Sequence, residues 1–276
     1  MAEFFSIEVK QGVAEVLIDR PPANAMSVGF FREIGEVAGD LEGNPEVRAV
    51  VFISALDKYF MSGLDLKDLP SIIGELMKTE KEPVDPQELM KKAMYESSSM
   101  LNENLLRIQK LPVPTVAAIR GHTLGGGLEF SLCCDYRFMA RGSGTIGLTE
   151  VNLGLIPGGG GTQRLPRLIG RGRAMEMILE GKRLTADEAL EAGLVNRVFE
   201  PEELVSGSVE FTRSLAMGAT RAMAMAKRAI NEGMETDLEN GLEIERDAMA
   251  ELVTTEDLME GIRAFIEKRA PEYKGR

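Results

Sequence analysis

The sequence predicts an α/β protein, and three observations near its N-terminus carry that prediction. Residues 4–18 alternate loosely between apolar and polar and break at Gln11-Gly12. Phe30, Ile34, Val37 and Leu41 then recur at helical spacing, and residues 47–53 form a short, mostly apolar run. Alternation around a turn dipeptide reads as a β-hairpin, the 3.6-residue spacing as an amphipathic helix, and the apolar run as a strand buried on both faces. Strands and helices that alternate along the chain are the signature of α/β layering.

The remaining elements follow in order. Arg20-Pro21-Pro22-Ala23-Asn24 is a loop, because tandem prolines oppose regular structure. Ser27 is placed to cap the first helix, and Gly43-Asn44-Pro45 ends it. Residues 78–86 are polar and contain Pro83 and Pro86, which predicts a mobile surface segment. Residues 89–108 read as a helix, 116–119 as a strand leading into a glycine-rich turn, and 135–140 as another strand. Thr185-Ala186-Asp187-Glu188 matches a capping box before a short helix, and 195–199 reads as the last strand. From residue 202 onward the pattern is helical, and Leu238, Leu242, Met249 and Leu252 predict one long amphipathic helix.

Composition narrows the function. With 276 residues the chain can bury a sizeable core as one large domain, or as one domain with an appendage. Its net charge of −12 argues against a nucleic-acid partner, which calls for basic surplus. The two cysteines, Cys133 and Cys134, are adjacent and sit in an apolar run, so buried thiols are expected rather than a disulfide. His122 is the sole histidine and no C-x-x-C spacing occurs, so no metal site is expected. A Ser-His-Asp triad would have to use His122 and would lack the G-x-S-x-G elbow. Glu3, Glu8 and Lys10 interrupt the N-terminal apolar residues, and no run reaches 18 apolar residues, so neither a signal peptide nor a membrane span is expected. The expected setting is cytoplasmic and reducing.

Four glycine-bearing segments carry the chemical reading. Gly142-Ser143-Gly144-Thr145-Ile146-Gly147 matches the dinucleotide-binding string, but no acid lies between Glu150 and Glu176 to take a ribose. Gly158-Gly159-Gly160-Gly161-Thr162 lacks the lysine of a phosphate-binding loop. Gly125-Gly126-Gly127 can be a tight turn only, or a turn that opens a helix over 128–134 with free N–H groups for a developing anion. That helix would carry one charge, Glu129, and a lone buried carboxylate is costly unless paired, protonated or functional. Glu150 is either a surface acid in a loop or, given its neighbours Val151, Leu153, Leu155 and Ile156, a buried carboxyl whose pKa is raised toward neutrality. In Ser62-Gly63-Leu64-Asp65, Asp65 can be a helix cap, or the Leu64 N–H can join that of Gly126 on one oxygen.

Taken together, Ser62-Gly63-Leu64-Asp65, residues 125–135, residues 150–161, Thr162-Gln163-Arg164-Leu165, Ala192-Gly193-Leu194-Val195 and Ala264-Phe265-Ile266-Glu267-Lys268-Arg269 resemble the crotonase (enoyl-CoA hydratase/isomerase) superfamily over nearly the whole chain. The resemblance implies a spiral of ββα repeats over residues 1–200 carrying an acyl-CoA site, and a helical oligomerisation region over 201–276. It implies a homotrimer or dimer of trimers with no cofactor, coenzyme A being part of the substrate. By position, Leu64 and Gly126 would be the oxyanion-hole donors and Glu129 and Glu150 the two catalytic glutamates. Ala23, Ser62, Leu64, Phe265 and Lys268 would meet the CoA moiety. Retention of both glutamates looks like a hydratase that adds water across the 2,3 double bond. Another crotonase activity, double-bond isomerisation or hydrolysis of a cyclic ketoacyl thioester, is the alternative, and a non-catalytic acyl-CoA-binding protein a more distant one. Lys58, Lys67, Lys268, Arg269 and Lys274 are candidates to offset the charge of CoA. Leu69, Ile72, Ile73, Leu76, Met77, Met90 and Met94 suggest an adaptable apolar lid or, equally, a peripheral helical insertion.

Overall fold

The computed structural model describes residues 3–68, 70, 74 and 85–276. The chain opens with an antiparallel hairpin, β1 (Phe5–Lys10) and β2 (Val13–Ile18), in which Phe5 pairs with Ile18 and Lys10 with Val13. Gln11 and Gly12 both have positive φ, the backbone twist that a two-residue hairpin turn demands. After β3 (Ala25–Met26), α1 (Val28–Gly43) starts where Ser27 Oγ accepts the Phe30 N–H, and it buries Phe30, Ile34, Val37 and Leu41. The chain continues through β4 (Ala49–Ser54), β5 (Tyr59–Met61), β6 (Gly63–Leu64) and the long α2 (Pro86–Lys110). Then come β7 (Thr115–Ile119), β8 (His122–Leu124), α3 (Gly126–Ser131), β9 (Tyr136–Ala140), β10 (Ile146–Gly147) and α4 (Gly161–Ile169).

This order winds into a spiral. In the large sheet the strands lie β1-β2-β4-β7-β9, and every pair after the hairpin is parallel. Each long strand is followed by a short one, so that β5, β8 and β10 form a second parallel sheet ordered β10-β8-β5. The repeat is therefore strand, short strand, helix, which is the ββα spiral expected above. The large sheet is covered on both faces because successive side chains point to opposite sides. Val16, Val50, Phe52 and Ala117 belong to the core beneath α1, while Val13, Val51, Val116 and Phe138 belong to a second core on the other face.

The spiral closes through α5 (Arg171–Leu179), α6 (Ala186–Glu191) and β11 (Arg197–Phe199), which adds to β9 at the sheet edge. The capping box before α6 is present in full: Thr185 Oγ1 accepts the Glu188 N–H and Glu188 reaches back to the Thr185 N–H. Next, α7 (Leu204–Ala216) covers the second face of the sheet through Leu204 and Ala216. It is followed by α8 (Thr220–Gly233), α9 (Leu238–Glu251) and α10 (Glu256–Glu267).

Three differences from the sequence reading have physical causes. The helix expected over 128–134 starts two residues earlier, because Gly125 at φ +52° turns the chain directly into it, and it ends at Ser131. The last strand begins at Arg197 rather than 195, as Leu194 and Val195 are drawn into the core beside α6. The helix expected from Leu238 to Leu252 ends at Glu251, and it meets only a small third core, in which Ala248 packs with Ala224 and Met225 and Leu252 lies against them. Leu238 and Met249 are 77% and 68% exposed, and Ala248 is its one buried residue. Most of the polar segment at 78–86 lies outside the described residues.

Candidate active site

The site forms where three backbone segments converge. The first is the β3–β6 ribbon, in which Ala25 pairs with Gly63 and Met26 with Leu64. It is locked from below by Asn24, fully buried, whose amide nitrogen donates to Ser54 Oγ and the Phe60 carbonyl and whose Oδ1 accepts the Arg20 N–H. Arg20 adds an ion pair to Asp65 at 2.9 Å and a hydrogen bond to the Ala25 carbonyl. Asp65 also accepts the Lys67 N–H, so it does the work of a cap while its neighbour Leu64 faces the site.

The second segment is the start of α3. Gly126 is its first residue, so its N–H has no carbonyl partner within the helix. The two segments touch: a Cβ added at Gly63 would lie 3.2 Å from the Gly126 nitrogen and 2.9 Å from the Leu124 oxygen. The backbone of Gly63–Leu64 and the start of α3 are thereby held side by side. One turn into α3, Glu129 is 2% exposed. Its Oε1 accepts two N–H groups, from Gly159 and Gly161, both at 2.8 Å. Burial pushes its carboxyl up from the ordinary 4.5 to about 7, against the opposing pull of those two N–H donors; the nearby Glu150 raises it further.

The third segment is the short turn at Glu150–Leu153. Burial raises the Glu150 carboxyl as well, and its Oε2 is shielded from solvent with no hydrogen-bond partner among the described residues. Its Oε1 lies 3.1 Å from the point where a Cβ on Gly125 would stand, so the carboxyl sits at the N-terminus of α3. The expected apolar shielding by its sequence neighbours is present in part. Val151, Leu153 and Ile156 are exposed, so the neighbours do not bury the carboxyl by themselves; Leu153, Leu155 and Ile156 line the cleft with it, and the opposite walls complete the shielding.

Ser62, Leu64, Gly126, Glu129 and Glu150 therefore line one cleft, whose apolar walls include Met26, Phe31, Met94, Leu101 and Leu155. Ala23 stands behind it, its carbonyl accepting the Ser62 N–H at 3.1 Å. Phe265 and Lys268 lie elsewhere, at the end of α10, where Phe265 is 85% exposed and Lys268 is the left-handed cap. Of the expected cations, Arg269 is paired with Glu260 and Glu267 and Lys274 with Glu256, while Lys67 follows the cleft residues directly. Of the apolar residues expected to form a lid, Leu69, Ile72, Ile73, Leu76 and Met77 lie outside the described residues, Met90 is exposed and Met94 lines the cleft.

The two glycine strings set aside as nucleotide decoys differ in outcome. Residues 142–147 turn into β10 with no helix opening there. Residues 158–161 supply both donors to Glu129, a role that the sequence reading missed. It also missed Ser98 and Asn102 of α2, which donate to the Gly158 carbonyl at 2.6 and 2.7 Å, and Arg164, which donates to the Gly159 carbonyl at 2.9 Å. The available signal was the i, i+4 spacing of Ser98 and Asn102 on one helix face. In chemical terms the cleft sets two carboxyls of raised pKa beside an unpaired helix-start N–H, an arrangement suited to moving protons next to a carbonyl that gains negative charge.

Comparison with known proteins shows the family. The enoyl-CoA hydratase/isomerase family model matches residues 8–276. The chain is 36% identical over 272 residues to a short-chain-enoyl-CoA hydratase of Clostridium acetobutylicum, covering 98% of this chain and 97% of that protein. It is 38% identical to the mitochondrial methylglutaconyl-CoA hydratase of Mus musculus, covering 97% and 81%. Among solved structures it is similar to the enoyl-CoA hydratase from Bacillus anthracis, with a TM-score of 0.86 and 36% identity over 99% of this chain and 100% of that one.

Proposed function

Because the chain belongs to the enoyl-CoA hydratase/isomerase family, we propose that it is an enoyl-CoA hydratase that adds water across the 2,3 double bond of an enoyl thioester. The observation that carries this reading is the presence of both Glu129 and Glu150 on one cleft beside the start of α3. In this reading the thioester oxygen accepts the N–H groups of Leu64 and Gly126, which polarises the enoyl system and stabilises the enolate. The water oxygen bonds to the β-carbon, its proton passes to a glutamate, and the α-carbon receives a proton from Glu150. One water is added and the pair ends with as many protons as it began with. The reaction asks one carboxyl to hold a proton and its neighbour to take one near neutral pH. Two carboxyls pushed up by burial and titrating as a coupled pair meet that demand.

The backbone at Ala23, Ser62 and Leu64 would receive the CoA moiety, with water as the co-reactant and no further cofactor. Phe265 and Lys268 stand away from this chain's cleft, so their proposed contact with CoA would be made in a neighbouring copy. That fits a homotrimer or dimer of trimers, and Met234, Leu238, Met249 and Val253 give the C-terminal helices an exposed apolar face to bury. The apolar walls set by Met94 and Leu101 favour a hydrocarbon acyl group. The test is loss of enoyl absorbance with crotonyl-, branched and cyclic enoyl-CoA thioesters, with products identified by mass. Gain of one water with the carbon skeleton intact in the fragment masses supports the reading, whereas an unchanged mass with a shifted double bond, or one water gained with the ring opened, replaces it with isomerisation or hydrolysis.

A further inference from the structure

The peptide group between Gly158 and Gly159 is gripped at both ends. Its carbonyl accepts hydrogen bonds from Ser98 Oγ and Asn102 Nδ2, and its N–H donates to Glu129 Oε1. A trans peptide is planar, with its C=O and N–H pointing in opposite directions. Holding the oxygen on the α2 side therefore aims the N–H at the carboxyl. The other donor to Glu129 is held differently. The Gly160 carbonyl, on the same peptide as the Gly161 N–H, accepts the N–H groups of Gln163 and Arg164 in the first turn of α4. Backbone structure thus fixes one donor, while two side chains fix the other. Gly158 and Gly159 bear no side chain to resist rotation of the peptide between them, so its orientation depends on Ser98 and Asn102.

We propose that Ser98 and Asn102 are positioning residues for the acid/base pair: by holding the Gly158 carbonyl they keep the Gly159 N–H on Glu129 and favour its water-activating, ionised form. The proposal rests on the assignment of Glu129 made in the preceding subsection. It also links substrate fit to proton chemistry, because Ser98 shares the cleft wall with Met94, Ser97 and Leu101 of the same helix. An acyl group that presses on this wall presses on Ser98, one of the two residues that hold the peptide. The charged groups that face Glu129 are Glu150 and Arg164, and both remain when Ser98 and Asn102 are changed.

The test is the titration of Glu129 itself. Carboxyl-carbon NMR on the full chain carrying 13C-labelled glutamate reads it, with the resonance identified by its loss in Glu129→Gln. The Ser98→Ala/Asn102→Ala double variant should raise the midpoint by about one pH unit, because a hydrogen bond to the ionised form is lost. Ser98→Thr, which keeps the hydroxyl, should retain the parent midpoint, and in the double variant kcat should fall more than KM changes. If the double variant does not fold, Ser98→Ala alone carries the same measurement. An unmoved midpoint in a folded variant overturns the proposal, whatever the change in Tm. Because the titration needs no turnover, the two readings fail separately. A moved midpoint in a protein that hydrates no enoyl thioester overturns the reaction and keeps the grip, and active hydration with an unmoved midpoint does the reverse.

Discussion

Glu129 accepts two backbone N–H groups and still has its carboxyl raised, which makes its surroundings unusually sensitive to single atoms. A methyl group at residue 159 would stand 2.5 Å from Glu129 Oε2 and 2.9 Å from Leu101 Cδ2. At residue 158 the nearest atom would be Ser98 Oγ at 3.5 Å, an ordinary contact. Gly159→Ala should therefore lower kcat by about 10²-fold, the scale of a displaced acid/base group, and Gly158→Ala should cost less; steady-state kinetics on one thioester compares them. The raised carboxyl also predicts a pH-dependent stability. A proton that the folded state holds more tightly than the unfolded one stabilises fully below the ordinary value of 4.5, and that contribution is lost as pH rises through about 7. Above neutrality the parent chain buries a charge that Glu129→Gln does not. The Tm of Glu129→Gln relative to the parent should thus rise between pH 4.5 and 7 and then level, as calorimetry across that range would show. Glu129 was legible in the sequence as a lone charge in an apolar run after three glycines, whereas Glu150 stayed open between a surface and a buried acid until the resemblance set the two side by side. Ser98 and Asn102 were not legible, because their partner is a carbonyl 60 and 56 positions away and carries no side chain to mark it.

At the scale of elements, local signals worked where they were sufficient by themselves. The Ser27 cap, the Gln11-Gly12 turn and the capping box at Thr185 all form from residues within four positions of one another. The exposure of the residues after Glu150 and the early start of α3 were missed, because each depends on what the rest of the spiral brings close. The C-terminal tail is another such case. Asp257, 4% exposed at the start of α10, accepts the Lys274 and Gly275 N–H groups, while Arg48 donates to the Tyr273 and Gly218 carbonyls. This buried carboxylate ties the tail to α10 although nothing in the local sequence marks it. Asp257→Ala leaves two backbone donors unmet and should lower stability by about 1–3 kcal/mol, read as a fall in denaturant midpoint, with little effect on the kinetics of the intact fold.

The whole molecule is a spiral whose repeating strand pairs deliver one ribbon, one helix start and one turn to the same cleft. Periodicity alone reached α/β alternation. The winding of the sheet followed only from the resemblance between separated motifs, because parallel pairing between strands some 20 to 65 residues apart leaves no local trace. The apolar residues of α9 illustrate the same limit from the other side, since their spacing predicts burial but does not say against what. Turnover of crotonyl-CoA by the parent chain, Glu129→Gln and Glu150→Gln probes the reaction that this architecture supports. The parent should give a product heavier by one water, and each variant should lose about 10²–10⁴-fold in kcat with CoA-thioester binding retained. Unimpaired hydration in either variant, or a product of unchanged mass from the parent, would contradict the hydratase reading.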